Sequence, residues 1–414
     1  MESILQPQLP FTVTLLLLLL FARLLGEIME RFGHPAMIGE VIAGVLLGPS
    51  VLGLLNYTSE LRILAELAVF LLIVLAGMEI KPEEVRKSIK GKNLLIAIMG
   101  FIVPMISGFI IGIVMDLNWM LTIFISLCIS ITALPVSVRI LMDIGKLQSD
   151  IGQKIISAAI FNDVISLLIL GIILDSRDSI TTISSIAISI LFTIVKVSLF
   201  VAFIFLAYRG VQLAAKRIPV IHNKISNLVL ILKGKESLFA LIMAFVLIFA
   251  SVSEVLGLHF VIGAFFGAML LNRDFLGTEN FDKIRDNTSG ITMGFLAPIF
   301  FAGMGIQFNV LSINNLWLLL LVLLASFASK ILGGYFGARM AGLGKRESYT
   351  LGMGLNARGI MELVIANIAL QNGFIDTSVF SILVLMGLVT TLVSPLFLKR
   401  SFNKLDKLGA LQQI

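Results

Sequence analysis

The chain runs as long apolar stretches separated by short polar ones. Within a stretch the apolar residues are continuous and do not alternate with polar ones. Each stretch lasts about 20 residues, the length at which an α-helix crosses the hydrocarbon core of a bilayer. A membrane β-barrel would instead show segments of about ten residues with every second position polar. The pattern predicts an all-α polytopic membrane protein of about 13 transmembrane helices. They are placed at residues 8–26, 35–55, 60–80, 93–114, 118–142, 151–174, 182–208, 236–256, 258–272, 290–307, 314–342, 347–371 and 377–398. Only the short turn Ser251–Gly257 separates the eighth segment from the ninth.

The polar stretches alternate in charge. Basic residues gather after odd-numbered segments: Lys81, Arg86, Lys87, Lys90 and Lys92 after the third, Lys216, Arg217, Lys224, Lys233 and Lys235 after the seventh, and Lys399, Arg400, Lys404 and Lys407 after the last. The alternate loops carry only Arg62 and Arg177. The positive-inside rule then predicts a multi-pass protein of the cell (inner) membrane with its N-terminus outside and its C-terminus in the cytoplasm. A composition of 58% hydrophobic and 14% charged residues excludes a soluble globular domain. The net charge of +6 reads as cytoplasmic loop charge, with no nucleic acid as partner and membrane lipid as surroundings. Cys128 is the one cysteine, so neither a disulfide framework nor a thiolate metal site is expected. The first apolar run has Glu2 before it and Arg23 and Arg31 after it, the pattern of a retained helix and not of a cleaved signal.

An internal repeat is legible. His34, Gly39 and the run Gly44–Gly48, followed by Ala76-Gly-Met, recur as His259, Gly263 and Gly267–Asn272, followed by Ala302-Gly-Met, at an offset of about 226 residues. The loop charges place the two copies in opposite orientation, the inverted repeat of secondary transporters. The predicted organisation is a first repeat over 1–175, a linker helix over 182–209, a second repeat over 236–400 and a short cytoplasmic tail over 401–414. Two segments at corresponding positions carry helix breakers. One is Ser130–Ser137 with Pro135, where the interruption is expected at Leu134–Pro135; the other is Gly352–Gly359, near Arg358. Paired interrupted segments of this kind point to a transporter's midplane site.

Asp163, beside Asn162, is the outstanding residue for chemistry. A carboxylate at bilayer depth costs several kcal/mol unless it is partnered, and such acids mark ion and proton paths. A carboxylate is also a hard oxygen ligand suited to Na⁺. The predicted site is therefore Asp163 as the shared cation and proton ligand (and the Na⁺ ligand), with Asn162 and Thr132 as further oxygens and Ser157 as another candidate. Proton and cation compete for one group, and that competition couples their fluxes. Lys330 lies deep in the eleventh segment, where a carboxylate or the negative end of a half-helix would be its partner. Arg358 and Glu362 are spaced to pair along one helix, or to offset the partial charges where it breaks. Glu40 and Glu66 read as buried acids that pack helices. The spans show no phosphate loop, no nucleophile–base pair and no metal-ligand cluster, so neither an ATP-driven pump nor an enzyme is expected, and no cofactor beyond the transported ions.

Gly39–Gly53, Thr132-Ala-Leu-Pro135 with Asn162-Asp163, and Asn356–Ala366 together resemble the monovalent cation:proton antiporter-2 family across nearly the whole chain. The resemblance implies a thirteen-helix inverted-repeat fold with crossed broken helices, a homodimer, and elevator-type alternating access with the aspartate as ion ligand. It also implies a lysine at the position of Lys330 as charge partner. Many electrogenic relatives carry two adjacent aspartates where this chain has Asn162-Asp163, so exchange of a monovalent cation, Na⁺ above all, for H⁺ is expected to be electroneutral. The larger potassium-efflux relatives carry a nucleotide-binding domain that this chain lacks, which leans toward Na⁺. A K⁺/H⁺ antiporter or K⁺ efflux protein is the alternative. From other classes, a cation channel and a Na⁺-coupled organic-anion carrier stay open.

Overall fold

The computed structural model describes residues 9–80, 91–175, 235–256, 258, 260–271 and 273–411, with scattered positions between 195 and 210. The predicted segment at 182–208 and the basic stretches at 81–90 and 211–234 therefore lie almost wholly outside the described residues, as do His259 and Asn272. What is described is helical. Eight helices are long and apolar enough to cross a membrane, and four shorter apolar helices, at 36–47, 119–130, 260–270 and 360–371, account for further predicted segments.

The residues form two compact units. One comprises residues up to Val69 with Glu84–Ser166 and Met293 onward, the other Phe70–Glu83 with Leu167–Thr292. In the first unit, α1 (Phe11–Arg31) packs on α2 (Ala36–Leu47). Glycine makes that approach possible: a Cβ on Gly39 would collide with the backbone of Leu25 and Gly26, and one on Gly44 with the carbonyl of Ala302. Glu40 is buried there and pairs with Arg23 at 3.5 Å. Glu66, expected to be buried, is exposed on α3 (Ser59–Glu79) and pairs with Arg62 one turn away at 3.1 Å. Next, α4 (Lys92–Val114) lies along a later helix, Leu316–Met340, whose Gly333 and Gly337 face the α4 backbone at Met99, Leu95 and Ile96. The fifth predicted segment is two helices, α5 (Trp119–Ser130) and α6 (Leu134–Asp143), and the sixth is the unbroken α7 (Asp150–Asp175).

In the second unit, α8 (Lys235–Val255) packs on α9 (Phe260–Leu270), with Gly263 against the backbone of Phe249 and Ala250. A four-residue turn, α10 (Arg273–Leu276), leads to α11 (Thr278–Ile291). The tenth segment was expected from residue 290, yet the helix begins at 278. Its first fourteen residues are largely polar and bury only the stripe Phe281, Ile284 and Thr288, a pattern that hydropathy passes over. After a wider turn at Thr292–Leu296 the chain continues as α12 (Ala297–Gln307). Four helices follow: α13 (Leu316–Met340), α14 (Lys345–Gly354), α15 (Ile360–Gln371) and α16 (Thr377–Leu411). Residues from 401 continue α16, because Leu398 and Phe402 remain on its buried face with Leu405 partly buried beside them.

Candidate functional site

The site begins with two interruptions. Ile131 and Ala133 are extended, so α5 stops at Ser130 and α6 restarts at Leu134. The gap falls just ahead of the expected Leu134–Pro135, and Pro135 sits in the first turn of α6, where its missing N–H has no intrahelical partner to lose. The second gap, residues 355–359, separates α14 from α15. The gaps meet. Ala133 N–H donates to the carbonyl of Ala357 at 2.9 Å, and the Thr132 hydroxyl donates to the carbonyl of Leu355 at 3.1 Å.

Ending α5 inside the protein leaves carbonyls without helical donors and concentrates the negative end of a helix dipole. Two buried cations answer it. Arg358 donates through Nη1 to the carbonyl of Cys128 and through Nη2 to that of Ile129 at 2.6 Å, with longer contacts to the Ser326 carbonyl at 3.4 Å and Glu362 Oε2 at 3.5 Å. Lys330 donates to the carbonyl of Ser130, to Gly100 O at 3.0 Å and to Thr132 Oγ1 at 2.7 Å, using all three ammonium protons. Neither cation is exposed to solvent. Lys330 bonds the half-helix end, one of the two partners expected for it, and Asp163, Arg358 and Glu362 are among the charges acting on it. Arg358 does compensate a broken helix, but that helix is α5 and not the segment that carries it.

The second gap is held without charge. On α16, Thr391 donates to the carbonyl of Arg358 at 3.1 Å and Ser394 to that of Asn356 at 2.8 Å. Sequence reasoning missed both hydroxyls. Their spacing of three on a helix, in an otherwise apolar run, was the available signal.

Asp163 and Asn162 lie on α7, Asp163 at 4% exposure and Asn162 at 0%. The Asn162 amide donates to Thr132 Oγ1 at 3.1 Å. Thr132 is thereby saturated: its hydroxyl donates once, to Leu355, and accepts from both Asn162 and Lys330. It ties the gaps to α7 and α13, and its oxygen has no lone pair left for an ion. Other oxygens are open. Asn162 Oδ1, Ser137 Oγ, Ser166 Oγ and Asn356 Oδ1 are buried with no hydrogen-bond partner among the described residues. They sit on α7, α6 and the second gap, the elements that meet here. Ser157, the other oxygen expected from the sequence, is only half-buried on α7. The cluster holds two acids, Asp163 and Glu362, and two cations, Lys330 and Arg358, so it is neutral when all four are ionised. Taking up one proton or one monovalent cation gives it the same single positive charge.

A sequence profile described as "Sodium/hydrogen exchanger, transmembrane" matches residues 16–404. The Na(+)/H(+)-K(+) antiporter GerN of Bacillus cereus is 28% identical over 401 residues, covering 96% of this chain and 97% of GerN. The Na(+)/H(+) antiporter NhaS4 of Synechocystis is 31% identical over 409 residues, covering 91% and 94% of the two chains. Among solved structures, the sodium proton antiporter MjNhaP1 of Methanocaldococcus jannaschii superposes with a TM-score of 0.68 over 95% of this chain and 96% of that one. At 16% identity that likeness speaks to fold alone.

Proposed function

Since this chain belongs to the sodium/hydrogen exchanger family, a family of multi-pass membrane transporters, we propose that it is a secondary active antiporter exchanging Na⁺ for H⁺. Asp163 is the shared ligand, loaded in turn by the cation and by the proton. One observation carries this reading: a buried carboxylate stands where two interrupted helices meet, in a cluster whose remaining charges are Lys330, Arg358 and Glu362. Either cargo adds one positive charge to that cluster, which supports one-for-one, electroneutral exchange. Asn162 Oδ1 supplies a neutral oxygen to the cation. Thr132, Lys330, Arg358 and Glu362 position the site.

The access mechanism in this reading is an elevator. Both gaps, α7, α13 and α16 are cross-linked by side-chain hydrogen bonds, which suits movement as one body. The protein works as a homodimer in the cell membrane, with its N-terminus outside. Residues 1–175 and 236–400 form inverted repeats. Supporting this, Gly39 meets Leu25 and Gly26 in one half while Gly263 meets Phe249 and Ala250 in the other, every residue displaced by the same offset. Potassium as the exchanged ion is the second reading, favoured by the likeness to GerN, whose name includes K⁺.

The test is proton flux in proteoliposomes, with Na⁺, Li⁺ or K⁺ added against a pH gradient, with and without a potassium/valinomycin clamp. The expected result is a saturable, Na⁺-driven pH change that ignores the clamp and disappears in Asp163→Asn and Asp163→Ala. Exchange that survives in Asp163→Ala rules out the site. A response to K⁺ alone selects the second reading.

A further inference from the structure

A cavity of about 560 Å³ lies where α13 ends and α14 begins, apart from the Asp163 cluster. Lys345 and Arg346, in the first turn of α14, and Lys404, on α16, bring three exposed cations to it, while Tyr335, Tyr349 and Leu405 supply apolar walls. No carboxylate is among the described residues that line it. The nearby acids are engaged elsewhere: Glu347 accepts from the Gly344 N–H at 2.8 Å, capping α14, and Asp406 accepts from Lys146 at 2.8 Å. Lys345, Arg346 and Lys404 make no ion pair among the described residues. Leading away along α13 is an apolar stripe, Leu332, Phe336 and Met340, each about half exposed and four residues apart.

We propose that this cavity is a binding site for an anionic phospholipid. Its phosphate lies on Lys345, Arg346 and Lys404, and an acyl chain follows the α13 stripe. Charge complementarity selects an anion, since three cations converge with no acid of the described residues among them. The walls select a lipid over a soluble phosphate: tyrosines flank the cations, as at a membrane–water interface, and the exit is apolar. Basic clusters just beyond a spanning helix attract anionic headgroups in this way. Within the cavity Thr350 Oγ1 and Ser401 Oγ are 2.7 Å apart, joining α14 to α16. A phosphate bridging Lys345 and Arg346 to Lys404 ties the same two helices a second time. Because α14 leads directly into the 355–359 gap, the lipid braces the segment that carries Arg358.

The experiment uses the full chain in phosphatidylcholine nanodiscs, with phosphatidylglycerol titrated in and thermal unfolding followed. The expected result is a saturable rise in the midpoint of several degrees. It should be largely lost in Lys345→Gln/Arg346→Gln/Lys404→Gln, retained in Lys345→Arg/Lys404→Arg, and retained in Arg400→Gln, which removes a cation outside the cavity. Lys404→Gln alone, the milder variant, should raise the half-saturating lipid fraction about fivefold. An undiminished rise in the triple variant overturns the proposal, as does an equal loss in Arg400→Gln, which would signal general surface charge. An equal rise with inorganic phosphate or glycerol 3-phosphate overturns the choice of a lipid. Unfolding is read without transport, so this result and the flux result fail independently.

Discussion

The two helix interruptions solve one problem in opposite ways. At residues 131–133 the freed carbonyls of Cys128, Ile129 and Ser130 are met by the charged groups of Arg358 and Lys330. At residues 355–359 the carbonyls of Leu355, Asn356, Ala357 and Arg358 are met by Thr132, Ser394, the Ala133 N–H and Thr391, all neutral. Charge-assisted hydrogen bonds are about twice as strong as neutral ones, and a buried charge deprived of its partners is far costlier than a deleted hydroxyl. The first gap therefore depends on keeping charged side chains ionised, and it is the gap tied through Lys330 and Thr132 to Asn162, the neighbour of the buried Asp163. The second depends mainly on shape.

That contrast ranks the expected losses. Arg358→Gln should be the most damaging, because it strands Glu362 and at least two carbonyls at once. A loss of about 3–5 kcal/mol is expected, read as a fall in unfolding midpoint in detergent, with Arg358→Gln/Glu362→Gln recovering part of it. If the single variant melts like the parent, the charged account of the first gap is wrong. Lys330→Gln comes next, at about 2–3 kcal/mol, and flux measured beside stability sharpens the comparison. Exchange that persists at reduced stability makes Lys330 a helix compensator alone. Thr132→Val should cost about 1–2 kcal/mol and raise the half-saturating Na⁺ concentration, because Asn162 loses the oxygen that orients it. Smallest are Thr391→Val and Ser394→Ala, about 0.6 kcal/mol each, with flux nearly unchanged. A large loss in either would erase the distinction between the gaps.

Much of this was legible in one dimension. Continuous apolar runs locate the helices, and a lone acid beside an amide in such a run stands out because the bilayer penalises it. Interrupted segments announce themselves through Pro135 and Gly352, Gly354 and Gly359. What could not be read was which group serves which gap. Arg358 and Glu362 look like a local pair at helical spacing, yet the shorter Arg358 contacts run to carbonyls some 230 residues away. Thr132 looks like a free oxygen until its three partners, from three other parts of the chain, are seen together. Local spacing carries no information about such contacts. Glu66 shows the reverse error: an apolar neighbourhood in sequence is not burial, because a helix has an outside.

The Ala133 N–H···O=C Ala357 bond is main chain to main chain, so of the side-chain substitutions only Ala133→Pro, which deletes the N–H, removes it outright. It acts as a rivet between two otherwise separate lengths of polypeptide. While it holds, the start of α6 and the 355–359 gap keep a fixed register. In the proposed exchange, cargo seated on α7 beside this joint travels together with its cradle.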